Sequence, residues 1–217
     1  MRRVAVAAAA LAALTVAAPG APAQRVTIGP QFVLASYREV TSGLRYQGSG
    51  FGAAASARLH RFSAEAVVAR VTLDPTDGGS ALQGFTATQV DAWLAYDVAP
   101  YASIEAGIIH RSADPEFDAQ SLGAMRVGAR AFSDVGPGAT VSFRADYLAA
   151  PRFSGGGRAP FSMDLGLGLD VSLASHLHGI AAYAFQRVDR KTNPGGTGEI
   201  EAPIQESVAR VGLALAF

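Results

Sequence analysis

Cysteine is absent from the 217 residues, so disulfides and thiol chemistry are unavailable to this chain. Lysine occurs once, at Lys191, and tryptophan once, at Trp93. Basic and acidic residues balance at 18 each, and no basic cluster points to nucleic acid. Long apolar runs are missing after the first 18 residues, which excludes membrane-spanning helices from the remainder. Missing too are G-x-S-x-G, H-E-x-x-H and a phosphate loop in a strand-to-helix setting. Gly155-Gly156-Gly157 and Gly195-Gly196 read as tips of polar loops.

What is present begins with an address. Arg2 and Arg3 precede an apolar run over 4–18, too short to span a bilayer. Pro19-Gly20 and the small-x-small triplet Ala21-Pro22-Ala23 follow, the form of a cleaved secretory signal. Residues 1–23 are therefore read as a signal peptide and 24–217 as one mature domain starting at Gln24. Removing Arg2 and Arg3 leaves 16 basic against 18 acidic residues, a net charge near −2. An exported chain without apolar helices can still be integral to a membrane as a closed barrel, which satisfies every backbone group between strands.

Period-two alternation runs through the mature chain. At the end, Ala209, Val211, Leu213, Leu215 and Phe217 face one way, and Glu206, Val208, Arg210, Gly212, Ala214 and Ala216 the other. Phe161, Met163, Leu165, Leu167, Leu169, Val171 and Leu173 likewise oppose Ser162, Asp164, Gly166, Gly168, Asp170 and Ser172. Four short turns, at His60-Arg61, Ala99-Pro100, Gly136-Pro137-Gly138 and Ser175-His176, recur every 37 to 39 residues. Longer polar stretches alternate with them at 38–47, 74–84, 112–121, 150–158 and 191–201. Short turns at one end and longer loops at the other predict ten strands. Eight is the alternative, because 63–73 alternates poorly and sets Glu65 and Arg70 on opposite faces unless a bulge intervenes.

A final strand ending in an aromatic on its apolar face resembles the small bacterial outer-membrane β-barrel proteins. The resemblance implies an all-β, up-and-down antiparallel transmembrane barrel in the outer membrane of a Gram-negative cell. It also implies a monomer without cofactors, with outer-membrane lipid around it and the barrel-assembly machinery as a partner during biogenesis. Val211, Leu213, Leu215 and Phe217 would then form the insertion signal. In this order Tyr37, Phe51, Phe85, Tyr147, Phe161 and Phe185 fall near the loop ends, and Phe62, Tyr96, Tyr101 and Phe217 near the turn ends. They are expected to form two interfacial belts.

By parity, the lumen receives Arg58, Asp91, Asp97, Glu105, Arg126, Arg130, Arg144, Asp146, Asp164, Asp170, Glu206 and Arg210. Adjacent strands thus offer opposite charges, and arginine can fork onto two carboxylates in a narrow space. Two readings follow: a charged constriction that passes small solutes, porin-like, or a salt-bridged plug. The narrow interior of eight to ten strands favours the plug. His60, His176 and His178 are expected as solvated turn residues, since no converging ligand set makes a metal site. His110-Arg111-Ser112 resembles the His-x-Ser element of the outer-membrane lipid A deacylases. That carry-over would make His110 a base, Ser112 a nucleophile and Glu116 an orienter, although Ala113-Asp114-Pro115 departs from that family's continuation. The functional expectation is a structural or binding barrel with restricted solute permeation. The alternatives are a lipid-modifying hydrolase and a surface adhesin, for which Tyr46, Phe117 and Phe153 are the loop aromatics available.

Overall fold

The computed structural model describes residues 24–76, 83–193 and 198–217, without the side chains of Gln24, Pro115 and Glu116. The signal-peptide reading, the Gly195-Gly196 tip and the orienter role of Glu116 fall outside that description. In chain order the strands are β1 (Gln24–Glu39), β2 (Arg45–Leu59), β3 (Phe62–Pro75), β4 (Phe85–Ala99), β5 (Ala102–Ala113) and β6 (Leu122–Gly136). Then come β7 (Ala139–Phe153), β8 (Ser162–Ala174), β9 (Leu177–Val188), the short β10 (Lys191–Thr192) and β11 (Ile200–Glu201), and β12 (Ile204–Ala216). Ten of them close into an antiparallel ring in the order β1-β12-β9-β8-β7-β6-β5-β4-β3-β2, while β10 and β11 pair within the last loop. Closure leaves no sheet edge, the condition for strands to lie in hydrocarbon. Among the described residues no helix is long and apolar enough to cross a membrane.

The four short turns lie at one end, where Leu59 pairs with Phe62, Ala99 with Ala102, Gly136 with Ala139 and Ala174 with Leu177. Gly138, at φ +71°, follows Pro137 as the third residue of its turn, a position that favours glycine. The longer connections lie at the other end. One of them carries a 3-10 helix, Pro115–Gln120. Strand β3 is a full member of the ring, and its register runs unbroken against both β2 and β4. No bulge reconciles Glu65 with Arg70: Glu65 points inward and Arg70 outward.

The molecule is inside-out relative to a soluble protein. Its exterior shows Phe32, Leu34, Leu94, Ile104, Ile108, Val127, Phe143, Leu167, Val211 and Leu213, while Asp91, Glu105, Arg126, Asp146, Asp164 and Glu206 are buried. A continuous exposed apolar surface of this kind belongs against acyl chains. At the turn end Phe62, Tyr101 and Phe217 stand outward, and Phe62 packs on Tyr96 at 5.0 Å between centroids. At the loop end Phe51, Tyr147 and Phe161 stand outward.

Tyr37 and Phe85 do not join that belt, contrary to expectation. They are 1% and 3% exposed and point into the barrel, where they meet Tyr46 and Phe117. The reason is a second core. At the loop end the inward positions are themselves apolar: Val33, Ala35, Ala69, Val71, Leu73, Ala87, Ile109, Leu122, Leu148, Val188 and Ile204 form one buried cluster. Inward aromatics gain more by filling that cluster than by standing at an interface.

Candidate functional site in the lumen

The inward-facing residues stack in three zones. Nearest the turns is a water-accessible vestibule of about 440 Å³, lined among others by Arg25, Arg58, Glu65, Trp93, Arg130 and His178. At its mouth Arg58 pairs with Asp97, and Arg25 meets the His178 ring. His178 Nδ1 lies 2.6 Å from Asp170. His178 is thus a buried lumen residue of β9, 3% exposed, not the solvated turn residue expected. His60, at φ +56°, and His176 do stay in turns, the latter 3.1 Å from the Ala216 carbonyl.

The middle zone is ionic. Arg126 reaches Asp146 and Asp164, both at 2.9 Å, and lies 3.9 Å from Asp91. Arg130 bridges Glu65 at 2.5 Å and Glu105 at 2.9 Å. Arg144 contacts Asp164 at 2.8 Å, Asp146 at 3.1 Å and Glu105 at 3.5 Å. Arg210 sits 3.8 Å from Asp91, to which Gln89 donates at 3.0 Å. Four guanidinium groups therefore face five carboxylates, close to neutrality. Around the Trp93 ring the guanidinium carbons of Arg144, Arg126 and Arg130 stand at 4.9, 5.2 and 5.5 Å, so the indole face adds cation–π attraction. Small residues make the room. A Cβ on inward Gly128 would lie 2.1 Å from an Asp146 oxygen, and one on Gly107 would strike Trp93 at 2.6 Å.

Above the ionic zone Arg111 pairs with Glu206. These two come from β5 and β12, which stand five positions apart in a ring of ten, so the pair spans the barrel. Arg111 also lies 5.4 Å from the Tyr37 ring centroid, linking the ionic zone to the apolar one. The loop end is then sealed by aromatics. Phe85 stacks on Phe117 at 4.6 Å, and Tyr46 approaches Phe85 at 5.2 Å and Tyr37 at 6.1 Å. The 3-10 helix that supplies Phe117 is fixed at its ends. The Asp114 carboxylate accepts from the Thr86 backbone N–H at 2.8 Å, and Gln120 donates to Glu39 at 2.8 Å. Beyond the vestibule, the voids toward the loops measure about 10 and 20 Å³, room for single waters.

No protein-family model and no curated protein matches this sequence. In three dimensions the chain is similar to the outer membrane protease OmpT from Escherichia coli, at a TM-score of 0.51 and 9% identity over 94% of this chain and 99% of that one. It is also similar to the outer membrane protein OprG from Pseudomonas aeruginosa, at 0.45 and 13% over 91% and 98%. Neisserial surface protein A matches at 0.43 and 11% over 88% and 97%. The fold is that of a bacterial outer-membrane β-barrel.

Within this barrel, all twelve charges expected in the lumen lie on inward-facing positions; ten of them make ion pairs in the vestibule or the ionic zone, Glu206 pairs with Arg111 above it, and Asp170 instead holds His178. Sequence reasoning left Arg25, Glu65, Arg111 and His178 out of the lumen set. Arg111 shares parity with Glu105 on the same strand, and that signal would have placed it. The His110-Ser112 pair stands on the outside of β5, where the Ser112 hydroxyl donates to the Thr88 carbonyl at 3.5 Å. No hydrogen bond joins His110 to Ser112 among the described residues. Val211, Leu213 and Leu215 form an exposed outward row on β12, and Phe217, the residue after the strand, is exposed as well.

Proposed function

We propose that this chain is an integral outer-membrane barrel with a structural and binding role, whose lumen opens on the turn side alone. The observation that carries this reading is the unbroken barrier above the vestibule. Arg126 is 1% exposed among three carboxylates, and an apolar and aromatic seal lies behind it. An ion crossing it would need to separate buried pairs, which costs several kcal/mol each. This supports the plug over the solute-passing constriction.

Short turns face the periplasm in bacterial barrels, so the vestibule is a periplasmic cup. Its lining includes Arg58, Arg130, Arg144 and Arg210, each already facing a carboxylate, and Arg25, which meets His178 and makes no ion pair among the described residues, so Arg25 is the group that favours a small anion. Planar-bilayer recordings of the purified protein should stay silent at all voltages, and reproducible unit conductance steps would overturn the closed reading. Trp93, the sole tryptophan and a wall of the cup, should change emission saturably on titration with a small dicarboxylate. A flat titration would remove the binding role.

The alternatives find less support. Tyr46, Phe117 and Phe153, the aromatics an adhesive loop surface would present, are turned into the seal. A hydrolase built on His110 and Ser112 lacks the hydrogen bond that would activate the hydroxyl. Mass spectra of lipid A from cells carrying wild type or His110→Ala should therefore coincide.

A further inference from the structure

The barrel exterior carries one polar feature that neither closure of the lumen nor lipid contact explains. At the loop end, Arg187 of β9 lies in register with Gln205 of β12, Gln205 with Arg38 of β1, and Arg38 with Arg45 of β2. All four alternate with inward, buried neighbours: Val188, Ile204, Tyr37 and Tyr46. They therefore form one outward row across four adjacent strands, spanning about 14 Å at ~4.8 Å per strand. Arg187 is held by Asp189 at 2.8 Å. Arg38 and Arg45 make no ion pair among the described residues. On β3 the neighbour of Arg45 is Thr76, and the exterior carboxylate Asp74, two residues on, sits opposite Gln47 and pairs with neither arginine. Two like charges directly opposed on adjacent strands weaken the ladder unless an anion lies between them.

Further along the strands, past the small and polar outward positions Ser207, Ser36, Gln47 and Ser49, come Leu34, Phe32 and Phe51, and on β9 Phe185 and Tyr183 follow Arg187, the apolar exterior. The Tyr183 hydroxyl donates to Ser207 at 3.1 Å, within the same face. A ligand that places anionic groups on the row and hydrocarbon below it satisfies both surfaces at once. Guanidinium forks match phosphate oxygens in geometry and charge. We propose that the Arg187–Gln205–Arg38–Arg45 row binds the phosphate groups of an anionic membrane lipid whose acyl chains lie along β12, β1 and β2. This rests on the membrane reading of the exterior given above.

The test uses the full mature chain in nanodiscs of phosphatidylcholine containing diphosphoryl lipid A or phosphatidylglycerol, with bound lipid counted by native mass spectrometry. Failure to enter the discs would defeat the membrane reading itself, separately from this site. Wild type should retain diphosphoryl lipid A. Arg38→Gln/Arg45→Gln should bind it on the order of 30-fold more weakly, from roughly fivefold per arginine at a membrane surface. Arg152→Gln, an exterior change on β7 opposite Gly123, should leave retention unchanged. Should the double variant misassemble, Arg45→Gln alone should still show about a fivefold loss. Equal retention by the Arg38/Arg45 variants, or an equal loss in Arg152→Gln, would overturn the site. Binding of inorganic phosphate as tight as that of the lipid would overturn the lipid assignment.

Discussion

Arg126 is the residue whose removal the barrel should tolerate least. Arg126→Met keeps side-chain length and removes the charge that Asp146 and Asp164 touch at 2.9 Å and Asp91 faces at 3.9 Å. Breaking a buried pair on one side costs ~3–5 kcal/mol, because the partner charge stays behind without water. Arg144 still reaches Asp146 and Asp164, and Arg210 still faces Asp91, which places the expected loss near ~3 kcal/mol. With an m-value of ~2 kcal/mol per molar urea, the midpoint should fall by about 1.5 M. The assay is built in: Trp93 is the sole tryptophan, and Arg126 lies 5.2 Å from its ring. Unfolding followed by its emission reports on the perturbed zone directly. Arg126→Met/Asp146→Leu should lose less than Arg126→Met, since the second change removes one orphaned charge. A loss below about 1 kcal/mol for the single variant would refute the reasoning, because it would mean the carboxylates are solvated where they stand.

Three further outcomes follow from the zones of the barrel. Phe85→Ala should cost ~3–5 kcal/mol by urea titration, yet leave bilayers silent, since the ionic zone beneath the aromatic seal is intact. Leu167→Arg, at an exterior position 54% exposed, should destabilise by ~2–4 kcal/mol in lipid vesicles, whereas a soluble protein would accept the change at an exposed site. Between the β7–β8 loop and the last loop, the hydrogen bond from Arg158 to Glu199 holds the Glu199 carboxyl below its ordinary value. A depressed folded value means the pair's contribution is complete above the unfolded carboxylate value and is lost as pH falls through the folded one. A carbon-detected NMR titration should therefore place the Glu199 midpoint below that of an ordinary glutamate, and Arg158→Gln should return it.

Much of the architecture was legible because alternation is a local property. Residues 161–173 and 206–217 each separate bulky apolar from small or charged positions, and the regular turns supplied the strand count. The loop half of the barrel was not legible for the same reason inverted. Ala69, Val71 and Leu73 of β3 face an apolar interior while Ala66 and Val68 face outward, so both sides of the strand are greasy and parity loses its contrast. Arg70 then looked misplaced when it was on the lipid side all along. Tyr37 and Phe85 were assigned to a belt by height along the strand, and height carries no information about direction where both media are apolar. His178 illustrates a different gap: next to a turn in sequence, it is buried because Asp170 on the neighbouring strand and Arg25 across the barrel seam converge on it.

The sequence by itself determined most of the strands, favoured ten of them over eight, and showed which face of most of them carries charge, because a pleat with two different sides writes itself residue by residue. Only the closed ring decided which charges meet. Arg111 and Glu206 are 95 residues apart and touch because a ten-strand circle sets β5 opposite β12. Whether the lumen is a channel or a plug also depends on that circle's width, since side-chain reach across a closed curve is a property of the whole and of no segment in it.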